Sequence, residues 1–248
     1  MTLTNIELEN LELKYLEKIN SLLVGHQEKM IKNLESMNNI LEYWEDKPHD
    51  DGYDSGAERV IYSILQTGSD LGDPNSCPVA SDLFFENPEA FIHIDLKSAQ
   101  PDNNLSDHWR VPVGKNQTSY AYNIKPQGSL KERPFNPSIP KYYNDKPSLT
   151  YFITILYSRV DKNFKVVNIN VSCMPNGQLT DIYKYDTLSP GKNPHDDKAR
   201  FTTNECYLFK TLNDPNKKRV KVNYINQSAI QNDFRQRFEK FLSSIKFS

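Results

Sequence analysis

Four residues of this chain have the types and spacing to act together: Glu58, Asp82, Asp95 and Lys97. Asp95 and Lys97 stand two apart in "FIHIDLKSAQ", residues 91–100. A strand points alternate side chains to opposite faces. Ile92, Ile94 and Leu96 then share one face, and Phe91, His93, Asp95 and Lys97 share the other. Charges in an apolar strand are costly to bury unless they are paired or bind something. One reading is an ion pair on an edge strand, half in water. The other brings in Asp82, which begins "SDLFFE". Two carboxylates on neighbouring strands, with the Leu96 backbone carbonyl, form an all-oxygen set suited to a hard divalent cation such as Mg²⁺. Such a cation activates a water and neutralises a phosphate. The Lys97 ammonium would orient that water and stabilise the developing charge. The chemistry is hydrolysis of a phosphodiester. Glu58 either holds a further water or a second metal, or interacts with the dipole of its own helix. His93 either takes part or is packed and hydrogen bonded.

Those residues need elements to hold them. Residues 4–46 read as helix, with Leu8, Leu11, Tyr15, Leu16, Ile19, Leu22 and Leu23 at three-and-four spacing. Thr4 and Glu7 form a capping box, and Gly25 breaks or bends the helix. This segment either wraps the domain or pairs with a second copy. "KPHDDGYDSG", 47–56, reads as a loop, and "AERVIYSILQTG" as a short helix that Gly68 ends. "SDLFFE", the turn "NPE" and "AFIHIDLKS" read as a hairpin that brings Asp82 toward Asp95. Proline-rich turns fill 101–147. The runs 149–160 and 164–174 read as paired strands, the first of them central. Further strands are expected in "LTDIYKYDTL" and "KKRVKVNYI". In the latter, Val220 and Val222 lie opposite Arg219 and Lys221. An amphipathic helix over 228–247 closes the chain.

A chain of 248 residues suits one large domain. Its 37% hydrophobic content, 14 Tyr and 12 Phe indicate a globular protein with a wet surface. No apolar run reaches the length of a membrane span, so no membrane partner is expected. "MTLTNIELEN" has no secretory pattern, and Cys77, Cys173 and Cys206 are scattered, so a reducing, cytoplasmic setting is expected. The net charge of −2 does not announce a nucleic-acid binder. The C-terminal part is nevertheless basic, through "KKRVK" at 217–221 and Arg235, Arg237 and Lys240. A local patch matters more than the total for binding phosphate.

The order of motifs resembles the BglI-type type II restriction endonucleases of the PD-(D/E)xK superfamily, over about residues 55–224. The resemblance runs through "GAERVIYSIL", "ASDLFFENPEAFIHIDLKSAQPDN", "VGKNQTSY", "PSIPKYY", "MPNGQL", "SPGKNPHDDKAR" and "KKRVKVNY". It implies an α/β fold: a restriction-endonuclease-like core with a mixed β-sheet flanked by helices. An N-terminal helical segment, 1–47, precedes the core within one nuclease domain of 1–248. It also implies a Mg²⁺-dependent homodimer that cuts both strands of a symmetric DNA duplex, with a DNA methyltransferase as functional partner. Asp82, Asp95 and Lys97 fall on the family's catalytic positions. Contacts to DNA carry over to Lys192, Lys198, Arg219, Lys221, Asp102 or Asn103, and the pair Asn116 and Gln117. Arg and Lys suit guanine edges, and Asp or Asn suits cytosine or adenine edges. Phosphate contact or a solvated face is the other reading for Arg219 and Lys221. The alternatives in function are another nuclease of this fold, from repair or a mobile element, and a non-catalytic DNA-binding module.

Overall fold

The computed structural model describes residues 3–36, 51–77, 80–100, 112–124, 133–160, 163–176, 188–190, 200–203, 210–214 and 216–229, with 235, 236, 239 and 243. Helix α1 (Asn5–Gly25) opens on the expected capping box. The Glu7 N–H donates to the Thr4 hydroxyl at 3.2 Å, and the Thr4 N–H donates to the Glu7 carboxylate at 2.8 Å. The break falls after Gly25, and α2 (Gln27–Glu35) follows. Helix α3 (Asp51–Leu65) corrects the expected loop at 47–56, since the chain is already helical from Asp51. Tyr53 explains this: its buried ring stacks on Tyr157 at 3.9 Å and meets Phe164 at 4.6 Å. Tertiary packing of one aromatic outweighs the turn-forming residues around it.

The strands in chain order are β1 (Asp73–Pro74), β2 (Leu83–Glu86), β3 (Phe91–Ala99), β4 (Pro112–Gly114), β5 (Tyr122–Ile124), β6 (Arg133–Phe135), β7 (Tyr142–Tyr143), β8 (Lys146–Val160), β9 (Asn163–Met174), β10 (Leu188–Pro190), β11 (Arg200–Thr203) and β12 (Val220–Ile225). The main sheet has the order β1-β2-β3-β8-β9-β12. β3 and β8 run parallel and the other neighbours antiparallel, so the sheet is mixed. The two expected hairpins are present, β2 with β3 and β8 with β9. β3 lies between β2 and β8, which removes the edge-strand reading of its charges. The short strands β4 to β7 add extended pairing where only turns were expected. Most of "LTDIYKYDTL" and of the expected helix 228–247 lies outside the described residues.

Helices α1, α2 and α3 cover one face of the sheet. Ile92 and Ile94 of β3, Tyr151, Ile153 and Ile155 of β8, and Ile169 and Val171 of β9 form the core with Leu16, Ile19, Leu34, Ile61 and Leu65. The opposite face of the same strands carries Asp95, Lys97, Thr154 and Asn170. The β2–β3 turn is fixed by Asn87, whose side-chain oxygen accepts the N–H groups of Glu89 and Ala90, each at 2.9 Å. A glycine at 72 is required before β1: φ is +98°, and a Cβ there would sit 2.2 Å from the Glu86 carbonyl oxygen. The turn and the glycine together seat the β1–β2–β3 edge that carries both carboxylates.

Candidate active site

The β2–β3 ladder ends at the pair Leu83 and Ile94. One step further the register sets Asp82 opposite Asp95. Beyond the ladder the Leu96 N–H has no strand to donate to, and the Asp82 carboxylate accepts it at 2.6 Å. In an antiparallel ladder a residue turns its N–H and C=O to the same edge. The Leu96 carbonyl therefore points toward the edge that Asp82 occupies. Asp95 is 1% exposed, whereas Asp82 is exposed. Asp95 Oδ2 is paired with the Lys97 ammonium, and Oδ1 accepts from Gln117 Nε2 at 2.8 Å. Gln117 is itself held by the Gly114 N–H, which donates to its oxygen at 2.9 Å.

The electrostatics fit a cation site. Burial pushes the Asp95 carboxyl up to about 6; Lys97 pulls it down and the Asp82 charge pushes it up. A buried carboxylate so destabilised is relieved by added positive charge. Oδ2 of Asp95 makes no hydrogen bond among the described residues beyond its ion pair with Lys97. The donors are all oxygen, as Mg²⁺ or a similar hard cation prefers. Among the described residues no group of three or more His, Cys, Asp or Glu is placed to hold a metal.

A pH dependence follows. The folded pKa of Asp95 lies above the ordinary value of 3.8, at about 6. Its contribution to stability is therefore fully present below pH 3.8 and is lost as pH rises through about 6. The full swing is on the order of 3 kcal/mol. In EDTA, thermal melts of the wild type should lose this increment across that window. Asp95→Asn should not; equal pH profiles for the two proteins would refute the assignment.

His93 follows the packed reading. It is stacked under Phe84 at 4.4 Å, its Nδ1 lies 3.2 Å from the Ser81 hydroxyl, and burial pushes its pKa down to about 4. The Ser81 contact ties the residue preceding Asp82 to β3. Glu58 is half-buried on α3, in the helix layer, on the sheet face opposite Asp95.

The residues expected to touch DNA divide differently. Asp102, Asn103, Lys192 and Lys198 lie outside the described residues. Asn116 is exposed at the rim of a cleft of about 580 Å³ that also reaches His93. Gln117 is engaged with Asp95 instead of facing solvent freely. Arg219 is a correction: it is 0% exposed. Its guanidinium donates to Glu12 at 2.5 Å and to Glu9 at 2.6 Å. Lys221 is a second correction, being paired with Glu17 of the same helix. Lys221 lies opposite Val171, and Arg219 touches Cys173, both on the helix-covered face. The alternation of β12 is therefore the reverse of the expected one. Its basic residues face α1, and Val220 and Val222 lie opposite Ser172 and Asn170 on the other side. Sequence reasoning missed Glu9 and Glu12, and it gave Gln117 a DNA contact without its bond to Asp95. The two glutamates sit on the same stripe of α1 as Leu8, Tyr15 and Leu16, a sign that they are buried and need a partner.

A mixed sheet under a helical layer, with two aspartates and a lysine at the end of a β-hairpin, defines the restriction-endonuclease fold. The structure is similar to that of the restriction endonuclease BglI bound to its DNA recognition sequence, with a TM-score of 0.63, 17% identity, and coverage of 87% of this chain and 90% of that one. It is also similar to the tetrameric restriction endonuclease SfiI bound to cognate DNA, with a TM-score of 0.62, 15% identity, and coverage of 81% and 79%. No curated protein matches the chain by sequence. The chain belongs to the family of the type II restriction enzyme MwoI, whose N-terminal domain matches residues 4–163 and whose central domain matches residues 166–225. It is a type II site-specific deoxyribonuclease, and restriction nucleases of this kind use a divalent metal. Among the described residues no helix is long and apolar enough to cross a membrane.

Proposed function

We propose that the chain is one nuclease domain that acts as a cytoplasmic homodimer, each subunit hydrolysing one strand of a symmetric duplex site with Mg²⁺. A methyltransferase of the same specificity would protect the host DNA. The observation that carries the reading is the convergence of Asp82 and Asp95 beside Lys97. Asp82, Asp95 and the Leu96 carbonyl would hold the Mg²⁺; Glu58, in the helix layer on the other face of the sheet, lies outside that set. When bound, the cation would supply activation of water and neutralisation of phosphate charge.

The chain's own groups do the rest. Gln117 fixes the Asp95 carboxylate so that Oδ2 faces the site. Asp82 is anchored on the Leu96 N–H. The Lys97 ammonium holds the attacking water and stabilises charge on the scissile phosphate. Asn116, which is exposed, is a candidate to touch DNA, together with Asp102, Asn103, Lys192 and Lys198. The test is digestion of plasmid DNA with Mg²⁺. Discrete fragments are expected; a smear would indicate a nonspecific nuclease, and uncut plasmid a non-catalytic binder.

A further inference from the structure

Lys97 has a conflict to resolve. Its ammonium sits on Asp95 Oδ2, the same oxygen a cation would take. An ammonium has three donors and no acceptor, so leaving that oxygen requires another acceptor nearby. The sheet register shows which are within reach. Lys97 lies level with Thr154 of β8, on the same face. The flanking positions of β8 on that face are Phe152 and Leu156, and the next on β3 is Ala99; none carries a side-chain acceptor, and Asp82 across the hairpin would itself be taken by the cation. Thr154 is 0% exposed, and its hydroxyl oxygen has no hydrogen-bond partner among the described residues. Neighbouring strands are about 4.8 Å apart, well within the reach of a lysine side chain.

A buried, unpartnered hydroxyl is a penalty that valine, with similar shape and strong strand preference, would remove. Such violations of local consistency concentrate at functional sites. We propose that Thr154 is a positioning residue that receives the Lys97 ammonium when Asp95 turns its carboxylate to the metal. In the metal-free protein the lysine neutralises the buried aspartate. In the loaded protein Thr154 holds the lysine beside the scissile phosphate. The proposal rests on the Asp82–Asp95 metal reading.

The test compares Thr154→Val and Thr154→Ser with wild type by Mg²⁺ titration calorimetry without DNA, by thermal melting, and by steady-state cleavage. In Thr154→Val the ammonium stays on Asp95 and competes with the cation. Mg²⁺ affinity and kcat should each fall roughly 10-fold or more. KM should stay within about 3-fold, and Tm should be unchanged or higher. Thr154→Ser should restore affinity and kcat. In a Lys97→Ala background, Thr154→Val should leave Mg²⁺ affinity unchanged. Wild-type Mg²⁺ affinity and kcat in Thr154→Val would overturn the proposal, as would a lowered Tm with unaltered affinity. Asp95→Ala separates the two readings. If that variant still binds Mg²⁺, the metal site itself is misplaced, whatever Thr154→Val does.

Discussion

Asp95→Ala should lower DNA cleavage by at least roughly 10³-fold, the equivalent of about 4 kcal/mol of transition-state stabilisation. DNA binding should stay within a few-fold of wild type. Asp95 is the most heavily constrained member of the site. It is 1% exposed, bonded by Gln117 and paired with Lys97. Its substitution removes a proposed metal ligand and the anion that Lys97 faces. Duplex binding depends on phosphate and base contacts made elsewhere, so a gel-shift assay in EDTA should show little change. The check is single-turnover cleavage of a labelled duplex. Residual cutting within 10-fold of wild type would place the metal elsewhere.

The second large effect is on stability. Arg219→Ala should destabilise the fold by about 3–5 kcal/mol, because Glu9 and Glu12 are left buried without their shared cation. Both carboxylates are 1% exposed. Burial already pushes the Glu12 pKa up, with Arg219 pulling against it. The glutamates also accept backbone N–H groups: Glu9 from Leu212 at 2.7 Å, and Glu12 from Asn176 at 2.6 Å. The triad thus fastens α1 to β12, to the chain just past β9 at Asn176 and to the segment before β12 at Leu212. Urea unfolding measures the loss. Replacing the whole triad, with Arg219→Met, Glu9→Gln and Glu12→Gln, should recover much of it, since each Gln retains an acceptor oxygen and no charge stays unpaired. Wild-type stability in Arg219→Ala, accompanied by altered sequence preference, would return Arg219 to the DNA.

Part of this architecture was legible because it is written locally. The Thr4–Glu7 cap, the break at Gly25 and the hairpin around "NPE" each depend on residues a few positions apart. The juxtaposition of Asp82 and Asp95 was legible for the same reason: one tight hairpin sets the two residues level with each other. What failed was decided by distant partners. Residues 51–56 looked like a loop until Tyr53 found Tyr157 and Phe164 about a hundred positions away. Arg219 looked like a surface residue because an alternating strand does not say which face is covered. Only the glutamates of α1, some two hundred residues earlier, decide it. Gln117 was singled out for a DNA contact, but its bond to Asp95 left no local sign, since Asp95 lies on another element.

The most direct test is a crystal structure grown with Mn²⁺ in place of Mg²⁺, read by anomalous scattering. One peak should lie within roughly 2.5 Å of carboxylate oxygens from both Asp82 and Asp95, with the Leu96 carbonyl beside it. A peak touching one aspartate alone, or the two carboxylates turned away from each other around an ion held elsewhere, would contradict the shared site.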